Sequence, residues 1–311
     1  MRPGRTEGTR IADDREITMV EALTYHKPGS TEEALRILHS LGAEAKILAG
    51  GQDIVPLMNQ GKLAPRSIVD LKELTGLLGV WTRNGSMVVG ALTTHRGIER
   101  SEHILARCGL LADAAGQIGG GVQVRNRGTI GGAICAGNPA YDFAPCLVAL
   151  GAEFQLLSVN GERRVAAADF FVDAHTTALR PNELLAEIII PIANSAASFA
   201  YQKLKFSDGC YCIASAACVL ELNPDGSCGL VRLVLGGVSP TPIRLSQVET
   251  LVAGSQISEE LLAKVTAAAQ QSVGNPINDV QADGEYRRAM AGVMARRALA
   301  RAFQRALPKK G

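Results

Sequence analysis

Two glycine-rich bends constrain this chain more than any other feature. The first, "KILAGGQDI" at residues 46–54, ends an apolar run in Gly50-Gly51. The second lies inside "RNRGTIGGAICAGNPAYDFAP" at 125–145 and sets Gly128, Gly131 and Gly132 among small residues. Glycine tolerates positive φ and lets another group approach the backbone closely. Successive free N–H groups in such bends form concavities for anions, phosphates above all. A diphosphate is therefore a candidate ligand that needs no lysine, with Thr129 adding a hydroxyl. A side chain at Gly131 is expected to occupy the place of that diphosphate while leaving the fold largely intact. Tight turns and close strand crossings use double glycines too, so neither bend decides alone. Neither follows the G-x-G-x-x-G turn of nicotinamide enzymes, and Gly61-Lys62 is followed by Leu63 rather than the Ser or Thr of a P-loop.

Local patterns place these bends among ordinary elements. "PGSTEEALRILHSLG" predicts a helix with Ser30 and Glu33 as a capping box and Gly42 as its stop. "AKILAG", "SIVDL" and "MVVGAL" read as strands, and "EHILARCGLLADAAGQI" as one helix. Asp142 can cap a further helix, "FAPCLVALG", with Pro145 in its first turn and Gly151 beyond its end. "EFQLLSV" and "ELLAEIIIPI" are expected as strands around the Asn160-Gly161 turn, a hairpin signal. A boundary is expected near residues 194–198. Beyond it come the strands "CIASAACVLEL" and "GLVRLVLGGV", a proline-containing loop, and the helices "SEELLAKVTAAAQQSV" and "RRAMAGVMARRALARAFQRALPKK". Strands covered by helices make a compact α+β unit.

The totals exclude several classes. The 311 residues suffice for two domains, and 47% hydrophobic with 20% charged residues is a globular balance. A net charge of +2 gives no field for nucleic acid, and no apolar run is long enough to insert in a membrane. Residues 1–18 lack the apolar middle of a secretory signal and read as a mobile tail on a cytoplasmic protein. Seven cysteines, at 108, 135, 146, 210, 212, 218 and 228, form an odd set without paired C-x-x-C spacing. Reduced thiols and no metal site are expected. His26, His39, His95, His103 and His175 are scattered, with no nucleophile motif beside them, so no residue is assigned a catalytic role. His95 is a candidate neighbour of the second bend, or a hydrogen-bonded loop histidine.

"KILAGGQDIVPLMNQGKLAPRSIVDL" and "QVRNRGTIGGAICAGNPAYDFAPCLVALGA", followed by "YQKLK" and "GGVSPTPIRL", resemble the flavoprotein (medium) subunit of the molybdenum hydroxylases, the carbon monoxide dehydrogenase and xanthine dehydrogenase family. The resemblance runs from about residue 24 to about residue 306. It implies an α+β fold: a two-subdomain FAD-binding domain of the PCMH type, like vanillyl-alcohol oxidase, over 19–196 (subdomains about 19–75 and 76–196). A small C-terminal domain of the CO dehydrogenase flavoprotein type follows over 199–306. It implies FAD bound through Ile47, Leu48, Ala49, Gly50, Gly51, Gln52, Asp53 and Ile54 in the first bend. In the second it implies Thr129, Gly131, Gly132 and Asn138, with Asp142 binding a cofactor hydroxyl, and Leu185 and Lys203 near the flavin. Leu185 read alone is also a core residue, and Lys203 a solvated strand lysine. Where relatives often carry an arginine four residues past the lysine, this chain has Ser207. The cysteine-bearing insertion that holds a [4Fe–4S] cluster in some relatives is missing.

The same resemblance implies a heterotrimeric oxidoreductase. A large partner carries the molybdenum cofactor and oxidises the substrate, and a small partner with two [2Fe–2S] clusters relays electrons. This chain passes them through FAD to an outside acceptor, in a dimer of heterotrimers. Two other readings fit the residues: a stand-alone FAD-dependent oxidase or dehydrogenase, and a non-redox nucleotide-binding scaffold.

Overall fold

The computed structural model describes residues 23–192 and 197–307; the expected tail and most of the expected boundary fall outside them. The first layer runs β1 (Thr24–His26), α1 (Thr31–Leu41), β2 (Ala45–Leu48), α2 (Ile54–Asn59) and β3 (Ser67–Asp70), with its three strands parallel in the order β1-β3-β2. Ser30 Oγ accepts from Glu33 N at 3.2 Å, but the Glu33 carboxylate accepts from Gly29 N at 2.8 Å, one residue earlier than a capping box requires. Gly42, at φ 52°, ends α1. The chain then leaves β2 through the first glycine bend and enters α2.

A five-stranded antiparallel sheet forms the second layer, in the order β4-β5-β10-β6-β7. Its strands are β4 (Val80–Arg83), β5 (Ser86–Gly90), β6 (Glu153–Ser158), β7 (Gly161–Ala166) and β10 (Leu184–Pro191), with a small ribbon of β8 (Phe171–Asp173) and β9 (Thr176–Thr177) beside it. The Asn160-Gly161 turn does close a hairpin, but it joins β6 to β7. The strand expected as its partner, β10, lies on the other side of β6. β7 carries charge on both faces as an edge strand, which hid it, whereas β10 is buried almost throughout.

Six helices connect β5 to β6: α3 (His95–Arg100), α4 (Glu102–Arg107), α5 (Gly109–Gly116), α6 (Gly121–Arg127), α7 (Ile130–Cys135) and α8 (Phe143–Leu150). The expected single helix over 102–118 is two, because Cys108 at φ −150°, ψ 52° leaves helical geometry. Every residue of α8 is buried, as an all-apolar helix must be. Each of its Phe, Leu and Val side chains contributes about 1.5–3 kcal/mol by leaving water.

After α9 (Ala167–Phe170) and β10, a four-stranded sheet β11-β12-β13-β14 follows: β11 (Ser198–Lys205), β12 (Cys212–Leu222), β13 (Cys228–Gly236) and β14 (Ile243–Arg244). One face is covered by α11 (Glu259–Gln271) and α12 (Gly284–Ala306). The stretch expected as a loop also holds β14 and α10 (Ser246–Val252). The other face packs on α8: Tyr201, Ala217, Val219 and Val234 share one buried cluster with Phe143, Leu147 and Leu150. On α12, Arg296 pairs with Glu259, and Arg288 and Arg305 with Glu285 and Asp113. All seven cysteines are free thiols.

Candidate cofactor-binding site

The two glycine bends meet backbone to backbone. A Cβ placed on Gly50 would lie 2.1 Å from the Arg127 carbonyl oxygen and 2.8 Å from Gly128 Cα, so the contact needs a bare residue. The second bend is held from the other side: Gly128 O accepts from His95 N at 2.9 Å, and Thr129 forms a β-bridge with Thr94. Residues remote in sequence are thereby fixed within contact distance.

The supply of free N–H groups is one-sided. Among the described residues, no acceptor takes the backbone N–H of Gly50, Gly51, Gln52 or Asp53. In the second bend the first turn of α7 uses its own: Ile130 N donates to Thr93 O, Gly131 N to Ala91 O, Gly132 N to Thr129 Oγ1 and Ala133 N to Thr129 O, at 2.8–3.1 Å. The concavity expected on both bends is therefore built by the first. Thr129 keeps its O–H for donation, since Oγ1 accepts from Gly132.

A cavity of about 820 Å³ runs along this junction, within the size range of cofactor pockets. Of the residues the sequence pointed to, Ile47, Ala49, Gly50, Gly51, Gln52, Asp53, Ile54, Thr129, Gly131, Gly132, Asp142 and Leu185 line it. Leu48, Asn138 and Lys203 do not. Leu48 is buried outside the wall, and Asn138 Oδ1 accepts from Ala140 N at 2.9 Å, fixing the turn before α8.

Gly131 lines the cavity but points away from it. Its missing Cβ would fall 2.7 Å from both Cβ and O of Ala91, so a side chain there strikes protein rather than the space expected for a diphosphate. Gly131→Val is accordingly expected to destabilise the flavin-free chain, by about 1–3 kcal/mol or more through overpacking. Thermal unfolding without added flavin checks this: an unchanged midpoint would refute the close contact.

Asp142 does not cap α8, since its side chain reaches no N–H of the first turn. Its buried carboxylate instead accepts from Tyr201 Oη at 2.6 Å and Lys203 Nζ at 2.9 Å. Lys203 is no solvated lysine: its side chain is 0% exposed and also donates to Gln117 O at 3.1 Å. Burial pushes the Asp142 carboxyl up, and Lys203 and Tyr201 pull it back. Asp142 is thus the only member of this trio on the cavity wall, and the Lys203 charge is met before it reaches the cleft.

Several wall residues went unread in the sequence. Tyr141 Oη donates to Asp53 Oδ1 at 3.1 Å, tying the segment before α8 to the first bend, and its ring lies 5.9 Å from Tyr211. Gly119 and Gly120 form the far wall with Gly209, whose carbonyl accepts from Gly120 N at 3.0 Å. The "IGGG" run at 118–121 was a legible third glycine signal. Ser207 sits in the 206–211 connector, with Oγ 3.1 Å from Cys210 Sγ.

Comparison with known proteins agrees with this architecture. Residues 18–193 match the family described as the FAD binding domain in molybdopterin dehydrogenase, and residues 199–302 the CO dehydrogenase flavoprotein C-terminal domain. The chain is 35% identical to the carbon monoxide dehydrogenase medium chain of Afipia carboxidovorans, over 91% of this chain and 97% of that one. It is 33% identical to the 6-hydroxypseudooxynicotine dehydrogenase complex subunit alpha of Paenarthrobacter nicotinovorans, over 92% and 96%. The solved carbon monoxide dehydrogenase from Hydrogenophaga pseudoflava superposes with a TM-score of 0.87 at 36% identity, covering 91% of this chain and 98% of that one. Matched by both family models and by these relatives over nearly its whole length, with an amide-lined junction of two glycine bends in its first part, this chain is a member of the FAD-binding flavoprotein family of molybdopterin dehydrogenases.

Proposed function

We propose that the cleft between the bends holds FAD, and that the chain serves as the medium subunit of a molybdenum-containing dehydrogenase complex. The observation that carries this reading is the run of N–H groups at Gly50, Gly51, Gln52 and Asp53, unpartnered among the described residues and held at Gly128 beside an 820 Å³ cavity. Those amides hold the diphosphate, with the Thr129 hydroxyl as a further donor. Asp142 accepts from a cofactor hydroxyl while Lys203 and Tyr201 fix its orientation. Leu185 supplies apolar wall, and Leu48 and Asn138 brace the two bends from behind. FAD supplies the electron-exchange chemistry when bound. The protein holds it, limits water and sets access.

The chain would accept electrons from the iron–sulfur clusters of a small partner and release them to an external acceptor, while a large molybdenum-cofactor partner oxidises the substrate. Relatives carry names such as medium chain and complex subunit, and one solved relative is a Cu,Mo-CO dehydrogenase. The match takes in 97% of the carbon monoxide dehydrogenase medium chain and 91% of this one, so the likeness is to a whole medium chain. That observation favours a subunit over a stand-alone oxidase. A dimer of heterotrimers in the cytoplasm completes the proposal. Native co-purification tests it: a large and a small partner should accompany the chain, with FAD, iron and molybdenum in the same fraction. A chain recovered alone, or without flavin, would overturn it.

A further inference from the structure

The His95 ring lies at the junction of the two bends and forms part of the cavity wall, with 5% of the residue exposed. Its backbone N–H holds Gly128 O at 2.9 Å. Its Nε2–Cδ2 edge lies so near Gly128 that a Cβ there would fall 2.5 Å from Nε2. The ring also packs on Phe143, with centroids 5.4 Å apart. Nδ1 is sealed from solvent and has no hydrogen-bond partner. Nε2 has no protein partner among the described residues either, yet it is not sealed.

Burial, reinforced by the Arg125 charge, pushes the imidazole down to about 4, so it is neutral at physiological pH and carries one proton. The sealed Nδ1 tolerates a lone pair better than an N–H, because buried N–H groups without an acceptor are rarer than under-used acceptors. The proton therefore belongs on Nε2. That places one uncharged donor where the bends touch, next to the free amides of Gly50 and Gly51.

We infer that His95 is a cofactor-positioning residue whose Nε2–H donates to a diphosphate oxygen of the dinucleotide at the junction of the two bends. The inference rests on the cleft being the FAD site. It gives the second bend a donor in place of the amides it spends on α7. It also accounts for a polar ring kept in a wall where an apolar one would pack on Phe143 equally well.

The test uses the full-length chain freed of flavin, titrated separately with FAD and with ADP, which shares the diphosphate but lacks the flavin. His95→Phe keeps the ring volume and removes the donor. It is expected to weaken both ligands by the same factor, about 10- to 100-fold for a hydrogen bond to a charged acceptor, with little change in the unfolding midpoint of the flavin-free chain. His95→Gln, whose amide nitrogen falls near Nε2, should recover most of the affinity; His95→Asn, whose amide falls near Nδ1, should not. Loss confined to FAD would move the contact away from the diphosphate and overturn the assignment. So would equal binding by all variants, or an Asn variant that binds as well as the Gln variant. A wild-type chain that binds neither ligand would instead overturn the cleft as the FAD site.

Discussion

Gly50→Ala is expected to leave the chain unable to retain FAD. The added methyl would stand 2.1 Å from the Arg127 carbonyl oxygen, and ordinary contact begins at 3.4 Å, so the bends must part by about 1.3 Å (3.4 − 2.1). Both sides of the contact are backbone, and no rotamer change relieves it. The amides at Gly50, Gly51, Gln52 and Asp53 would then no longer face the second bend. Losing the alignment of two hydrogen bonds to a charged diphosphate, each worth about 1.5–3 kcal/mol, lowers affinity by roughly 100-fold or more. Gly51→Ala is the control. Its φ of 73° makes a side chain strained, but the nearest atom is the tip of Leu48, at 3.3 Å, which can move. A milder loss is expected there. Flavin titration of the two variants checks the contrast, and a Gly50→Ala chain that binds FAD like wild type would refute the contact between the bends.

Asp142→Ala is expected to be the most destabilising single truncation at the cleft. It leaves the Lys203 ammonium, with no exposed side-chain surface, held only by the Gln117 carbonyl, and the Tyr201 phenol without its acceptor. Removing one partner of a buried ion pair costs about 3–5 kcal/mol, because the other charge stays desolvated and uncompensated. At about 2–4 °C per kcal/mol for chains approaching this size, the unfolding midpoint should fall by roughly 10 °C. Asp142→Leu combined with Lys203→Met removes both charges and should restore most of the loss. A double variant as unstable as Asp142→Ala, or a single variant within a degree of wild type, would show that the pair does not carry this energy.

Much of the fold was legible because local chemistry and tertiary packing agree. The cap at Ser30, the stop at Gly42, the apolar face of α1 and the Pro145 start of α8 all act within a few residues, and all stand where the sequence puts them. Errors arose where distant contacts decide. The periodicity of 102–118 continues through Cys108, yet the backbone breaks there. β7 is an edge strand with charge on both faces, so no alternation marked it. At the cleft, residue types were readable but directions were not. Gly131 was legible as a glycine that must be bare; that its bareness serves Ala91 rather than a ligand depends on the turn after β5, some 40 residues earlier. Asp142 sits where a cap belongs, but Tyr201 and Lys203, about 60 residues later, claim its oxygens.

The burial of α8 on every side has a bearing on how the cofactor enters. Phe143–Leu150 is at once the floor of the five-stranded layer and the ceiling of the four-stranded one. The halves cannot part like jaws without wetting Tyr201, Val219 and Val234, an expense that grows by about 25 cal/mol with each Å² of apolar surface uncovered. The cheaper gate is the 206–211 connector, moored to the cavity wall by the Gly120 N–H on the Gly209 carbonyl and by the Tyr211 ring against Tyr141. A dinucleotide loaded while the chain is still assembling, and thereafter seldom exchanged, is the behaviour such a hull favours.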